Sequence, residues 1–261
     1  MQFTITQDGS PTIYDPIFKE HHHSLIGAYT EARYKFAEVA KSLFTARSTI
    51  SSTIKPAISL LDLPFGLGYN LIATLDVFDN TFINCTAIEL DLAVLEALPL
   101  CPFDEELKQK FVKLFPLAEG KKRIQKSNFN LELILGDLLE VLPELAATEH
   151  NKYDLIFYDS FSPRSAPGLW SKDNVLKYFY ELLKEDGLLI TYTASNKVRK
   201  GLLELGFQIA PSVSVGRKMP GTLAFKAGKN NPLSFTKLQS FTEETWQKIN
   251  KSASYKSVQR E

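Results

Sequence analysis

Cysteine is nearly absent from this chain. Of 261 residues only Cys85 and Cys101 carry a thiol, and no Cys-x-x-Cys or Cys/His ligand pattern occurs, so neither a disulfide framework nor a structural zinc is expected. Net charge is missing as well, with 30 Lys and Arg against 30 Asp and Glu. Nothing therefore drives the whole molecule toward a polyanion, and any nucleic-acid contact has to come from local basic clusters. Three such clusters exist: Lys121-Lys122-Arg123 with Lys126, Lys197 with Arg199 and Lys200, and Arg217-Lys218. Each alone is ordinarily a solvated face. No apolar run reaches the length of a membrane span. The opening MQFTITQDGS has neither a basic start nor an apolar core, so no signal peptide is indicated and a cytoplasmic location is expected. His21, His22 and His23 are adjacent, point to different faces of any helix or strand, and make a poor metal site; no metal is expected.

What the chain does have is a series of apolar runs closed by acids. Tyr153 to Tyr158 ends at Asp159, and Ser160-Phe161-Ser162-Pro163 behind it forces a loop. Ile58 to Asp62 is followed by Pro64-Phe65-Gly66-Leu67-Gly68-Tyr69-Asn70 and then by helix-compatible Leu71 to Leu75. Glycines at such a turn let a ligand approach the backbone, and the helix N-terminus adds amide donors. The spacing is not the dinucleotide G-x-G-x-x-G. Thr81 to Ile88 closes on Glu89, and Asn130 to Leu135 on Gly136-Asp137. Four strand ends thus carry Asp62, Glu89, Asp137 and Asp159, where an α/β sheet binds its ligands. An acid after the second strand suits a ribose diol and one after the third an adenine amino group. Carboxylates near a sulfonium favour its charge. The set suits S-adenosylmethionine and repels a triphosphate.

The remaining segments place this row in a fold. Met1 to Pro16 reads as a small hairpin about Asp8-Gly9-Ser10-Pro11, and Ala28 to Ser42 as a helix. A helical insertion over about 90–127 is broken at Pro99, Pro102 and Pro116. Helices are expected over 138–147, with a break near Pro143, over 174–183, and over 197–205, ending at Gly206. Lys184 to Gly187 reads as a turn into a strand over 188–193, and 207–209 with 222–225 as a final antiparallel pair. The expected organisation is an N-terminal extension (1–53), an α/β body (54–227) and a polar tail (228–261). Strand–helix alternation closed by a hairpin implies an α/β fold, with a mostly parallel doubly wound sheet and an antiparallel C-terminal edge strand. That is the outline of Rossmann-like class I S-adenosylmethionine-dependent methyltransferases.

Several motifs, in order, resemble one family, the methyltransferase domain of MnmC. Asp8-Gly9-Ser10-Pro11 resembles its D-G-S/T-P opening. His23-Ser24, Gly27, Glu31 and Arg33 to Phe36 resemble its next block. Phe65-Gly66-Leu67-Gly68-Tyr69-Asn70 resembles G-F-G-T-G-L-N, although Pro64 replaces the first glycine and Tyr69 the leucine. Gly136-Asp137, Asp159-Ser160-Phe161-Ser162-Pro163 and Leu169-Trp170-Ser171 resemble G-D and D-x-F-[AS]-P…[ML]-W-[ST]. Val198 to Leu202 with Gly206-Phe207, then Gly216-Arg217-Lys218, resemble V-R-R-G-L…G-F and G-[FV]-G-R-K.

The resemblance implies N-methylation of the 5-aminomethyl group of wobble (2-thio)uridine in tRNA, with S-adenosylmethionine as donor. It implies a stand-alone enzyme without the FAD oxidase domain of bifunctional relatives. By it, Asp62, Phe65, Gly66, Gly68, Asn70, Glu89, Asp137, Leu138 and Asp159 hold the donor, and Glu31 closes over its methionine end. Asp159 is either the proton acceptor or only a donor ligand. Phe161 and Pro163 wall the base, and Arg199, Lys200, Arg217 and Lys218 contact RNA phosphates. Two other readings fit the same residues: methylation of a small amine, and a catalytically silent module that binds the donor or tRNA.

Overall fold

The computed structural model describes residues 1–48, 57–215 and 219–226. The expected tail and the Gly216-Arg217-Lys218 motif lie outside them. Three short strands, β1 (Phe3–Ile5), β2 (Pro11–Asp15) and β3 (Glu20–His21), form an antiparallel sheet of their own. The helix expected from Ala28 runs further than its pattern suggested. It comprises α1 (Ala28–Glu31), wide π-type turns over Ala32–Ala37, and α2 (Glu38–Ser48).

The Asp8-Gly9-Ser10 motif explains where this helix starts. Its first amides have no helical partner, and side chains of the hairpin turn supply one. Ser10 Oγ accepts from Ala28 and Tyr29 N–H at 2.9 and 3.1 Å, and Asp8 Oδ2 from Thr30 N–H at 2.8 Å. Gly27 is fixed by this contact: a Cβ there would lie 2.2 Å from Asp8 Oδ2.

The body alternates strands and helices: β4 (Ala57–Leu63), α3 (Tyr69–Val77), β5 (Phe82–Glu89), α4 (Leu92–Glu96) and α5 (Glu105–Phe111). Next come β6 (Arg123–Gln125), β7 (Phe129–Leu135), α6 (Leu138–Thr148) and β8 (Tyr153–Tyr158). Then follow α7 (Lys177–Leu182), β9 (Leu183–Thr191), α8 (Asn196–Glu204), β10 (Gln208–Pro211) and β11 (Thr222–Phe225). The strands form one eight-stranded sheet in the order β10-β11-β9-β8-β4-β5-β7-β6. Strands β9, β8, β4, β5 and β7 are parallel, and the others pair antiparallel at both edges. Every residue of the central β8 is buried, as a parallel strand covered on both faces requires. From β4 the chain winds outward through β5 and β7, then returns to β8 on the other side. The carboxyl ends of β4, β5 and β8 therefore border the crevice where such sheets bind ligands.

Three local expectations are corrected. The insertion does not stay helical to residue 127, because Arg123–Gln125 pairs with β7 as an edge strand; three residues are too few for a periodic signal. Pro143 does not break α6. The one bond it removes is a donation to the carbonyl of Leu139, an exposed residue where water can substitute. Lys184 to Gly187 is not a turn but the irregular start of β9, with a register shift against β8 and Asp186 at φ 64°.

Candidate active site

A cleft of about 280 Å³ opens at the carboxyl edge of the sheet. Its floor starts at the loop after β4. Phe65 N–H bonds to Ile88 O at 2.8 Å, so the loop closes on β5 without the amide that Pro64 lacks. Gly66 has φ 56°, and a Cβ there would meet nothing nearer than His22 Nδ1 at 4.0 Å, so the backbone faces the cleft directly. Gly68, at φ 84°, starts α3 and packs so tightly that a Cβ would lie 2.7 Å from Leu114. Tyr69, where the family motif has leucine, is buried and donates its hydroxyl to Pro11 O at 2.7 Å. The substitution thus ties the glycine loop to the N-terminal hairpin.

Glu89 holds two loops with one carboxylate: Oε2 accepts from Gly66 N–H at 2.7 Å and Oε1 from Asp91 N–H at 2.9 Å. Burial raises its pKa, partly offset by these backbone bonds. Each oxygen keeps a further lone pair. Glu89→Ala would strand two amides at about 1–3 kcal/mol each. It should weaken S-adenosylhomocysteine binding at least tenfold by calorimetry, and Glu89→Gln, which keeps one acceptor oxygen, should lose less. Asp137 caps α6, accepting from Leu139 N–H at 2.8 Å, and lines the cleft with Leu138, Asp159, Asn70 and Phe161.

Asp62 lies beneath the floor, fully buried, with Asn70 Nδ2 donating to its Oδ1 at 3.3 Å. Burial pushes its carboxyl well up, Asn70 opposes this, and the nearby charge of Asp159 adds to it. Asp62 Oδ2, Asn70 Oδ1 and Ser160 Oγ are buried without a hydrogen-bond partner among the described residues. Orphaned polar atoms are costly unless a ligand or water completes them, and Asn70 and Ser160 line the cleft. Acceptors at the glycine loop, a carboxylate after β5 and a capped acid after β7 fit the amino-acid, ribose and base portions of S-adenosylmethionine.

The roof comes from the N-terminal segment, through residues that the sequence did not connect to the site. Asp15, Phe18, His22 and His23 all line the cleft. Glu20 binds Ser162 twice, accepting from its N–H at 3.0 Å and its hydroxyl at 2.5 Å. Phe18 stacks on Phe161, and His22 meets the same ring edge-on at 5.3 Å. His23 packs edge-on to Tyr69 at 4.9 Å. Burial and the neighbouring His22 lower its pKa to about 4, against the pull of Glu31 and Asp8. An unfolded His takes a proton below its ordinary 6.5, whereas the folded one does not until much lower. Its contribution to stability is therefore lost as pH falls from 6.5 toward about 4. Urea melts across that window should show a smaller decline for His23→Gln.

Other expected site residues fall elsewhere. Glu31 is not an exposed helical acid. It is buried, pairs with Lys35 and accepts from Ser24 N–H at 2.9 Å, and it does not line the cleft. Pro163 is half-buried outside the lining. Arg199 donates to Thr222 Oγ1 at 2.9 Å and to the carbonyls of Pro220 and Gly221 at 3.0 Å, so its guanidinium staples the last strand to α8. Lys200 is exposed, 3.8 Å from Glu204. Among the described residues no cluster of His, Cys, Asp and Glu could hold a metal ion, and no helix is long and apolar enough to cross a membrane.

Comparison with known proteins agrees with this geometry. A family model for S-adenosyl-L-methionine-dependent methyltransferases matches residues 102–227. The crystal structure of human methyltransferase-like protein 13, in complex with S-adenosylhomocysteine, superposes with a TM-score of 0.51 at 15% identity over 86% of this chain and 90% of that one, a likeness of fold alone. The chain is a class I S-adenosylmethionine-dependent methyltransferase, and S-adenosylmethionine is its cofactor. MnmC2 from Aquifex aeolicus superposes with a TM-score of 0.69 at 27% identity, covering 100% of this chain and 80% of that one. The bifunctional tRNA 5-methylaminomethyl-2-thiouridine biosynthesis protein MnmC of Actinobacillus pleuropneumoniae is 30% identical over 169 residues, which is 59% of this chain. Within its class the chain is similar to methyltransferase domains of the MnmC type. An uncharacterised protein of Methanocaldococcus jannaschii is 34% identical over 224 residues, 85% of this chain. The chain spans 58% of that relative's length and 25% of the bifunctional protein's.

Proposed function

We propose that the chain methylates the primary amine of 5-aminomethyl-(2-thio)uridine at the wobble position of tRNA, giving 5-methylaminomethyl-(2-thio)uridine. The observation that carries this reading is the position of Asp159. It lines the same cleft as Gly66, Asn70, Glu89 and Asp137 on the one hand and Phe161 on the other. The floor would hold the donor through Asp62, Gly66 and Asn70 at the amino-acid end, Glu89 at the ribose, and Asp137 with Leu138 at the adenine.

When bound, S-adenosylmethionine supplies a methyl group on a positively charged sulfonium. The chain's own residues handle the acceptor. Asp159 accepts a hydrogen bond from the amine, orients its lone pair toward the floor, and takes up the proton that the methylated nitrogen must lose. Phe161 excludes water and positions the base, and alignment accounts for most of the acceleration. A tRNA substrate is also in keeping with the name of the bifunctional relative, a tRNA 5-methylaminomethyl-2-thiouridine biosynthesis protein.

Mass analysis of wobble nucleosides from a strain lacking the gene tests the proposal. Accumulation of the unmethylated aminomethyl nucleoside is expected; an unchanged profile would overturn it.

A further inference from the structure

Phe18 and Phe161 stack at the cleft with centroids 4.2 Å apart and planes 20° from parallel. The two rings are held very differently. Phe161 is fixed from below: Trp170 Nε1–H donates to its carbonyl at 2.7 Å, and the next residue, Ser162, is bound by Glu20. Phe18 sits on the short connection between β2 and β3, where Pro16, Ile17 and Lys19 are exposed. Asp15 Oδ1 shapes that connection by accepting from Ile17 and Phe18 N–H at 2.7 and 2.9 Å. The backbone is thus defined, and the half-buried Phe18 ring lies face to face with Phe161 on an otherwise exposed connection.

Two cations adjoin this pair. Lys19 directly follows Phe18, and Arg164 lies just beyond Phe161 in the same loop. Both are exposed, and neither has an ion pair or hydrogen bond among the described residues. Of the basic residues that the sequence suggested, Arg199 donates to backbone carbonyls and Lys200 lies 3.8 Å from Glu204. An aromatic face flanked by uncommitted cations suits a nucleotide within a strand, with its base on the ring and its neighbouring phosphates on the charges.

We infer that Phe18 and Phe161 are the two jaws of a base clamp, with Lys19 and Arg164 as its phosphate contacts. The inference rests on the RNA reading above and adds the groups that would recognise the nucleotide. Rings 4.2 Å apart admit no third ring, since a sandwiched base needs roughly 7 Å, two stacking spacings. The half-buried Phe18 side chain swings outward and closes on the outer face of the base, while Glu20–Ser162 keeps the two backbones together.

The test is fluorescence anisotropy with an anticodon stem-loop RNA carrying 5-aminomethyluridine, in the presence of S-adenosylhomocysteine. Phe18→Leu, which keeps apolar volume and loses the aromatic face, should weaken binding about tenfold, and Phe18→Trp should retain it. Lys19→Ala and Arg164→Ala should each flatten the dependence of log affinity on log salt by about one. These two substitutions are at exposed positions and should leave S-adenosylhomocysteine affinity unchanged, so they decide the matter even if Phe18→Leu folds poorly. Wild-type affinity and salt slope in all four variants would overturn the clamp and leave the methylation proposal standing. RNA binding absent from the wild type would overturn both.

Discussion

Alanine in place of Asp159 is expected to lower turnover about 100- to 10,000-fold, the range general-base groups contribute. Affinity for S-adenosylhomocysteine should change far less. Asp159→Asn should lose nearly as much turnover, because the amide keeps the shape and an acceptor oxygen but cannot take a proton. Single-turnover kinetics with labelled donor, beside calorimetry with the demethylated product, separates the two roles the residue could have. If product affinity falls in step with the rate, Asp159 is a donor ligand and the amine loses its proton elsewhere. Near-normal rates in both variants would remove it from the mechanism. The experiment also reads on Asp62, whose carboxyl is raised in part by the charge of Asp159; neutralising Asp159 removes that contribution and leaves burial as the main cause.

The second large effect concerns stability. Lys35 and Glu31 form an ion pair one turn apart, with side chains only 1% and 4% exposed. Removing one member leaves the other charge buried and unpaired, a change that costs about 3–5 kcal/mol. Lys35→Met or Glu31→Gln should therefore lower the melting temperature by on the order of 10 °C. The double substitution should recover much of the loss, because an apolar side chain and an amide can share that space without an unpaired charge. Calorimetric melts of the three variants provide the cycle. Single losses within about 1 kcal/mol, the worth of a surface pair, would show that water reaches the site. Because Glu31 also fixes the Ser24 amide, its loss should loosen the roof as well.

The acidic floor of the cleft was legible in the sequence because its causes are local. Strands buried on both faces read as unbroken apolar runs, and the acid or glycine that follows marks the sheet's carboxyl edge. Asp137 could be found this way even though its immediate task is capping α6. The roof was not legible. Glu20 meets Ser162, and Phe18 meets Phe161, across most of the chain's length, and neither partner carries a periodic or turn signal. The three histidines were weighed as metal ligands, whereas two of them line the cleft as packed rings. Arg199 illustrates the opposite error: a basic run suggests solvent, but nothing local reveals the carbonyls of Pro220 and Gly221 that take its donors. The D-G-S opening could have been read further, since Ser and Asp side chains favour helix starts; what no pattern revealed was that the helix they cap begins eighteen residues later.

The antiparallel strands at the two sheet borders have a consequence for how the molecule behaves in a crowded solution. A wide sheet with a bare rim invites another copy to add its own backbone. Here one rim is the three-residue β6, with Arg123 paired across to Glu132 at 2.7 Å and Lys121, Lys122 and Lys126 projecting around it. The other is β10, which ends in Pro211, a residue with no amide hydrogen to offer. The lysine cluster thus surrounds an otherwise bare rim with charge, and replacing it with apolar residues should trade solubility for fibril-like self-association.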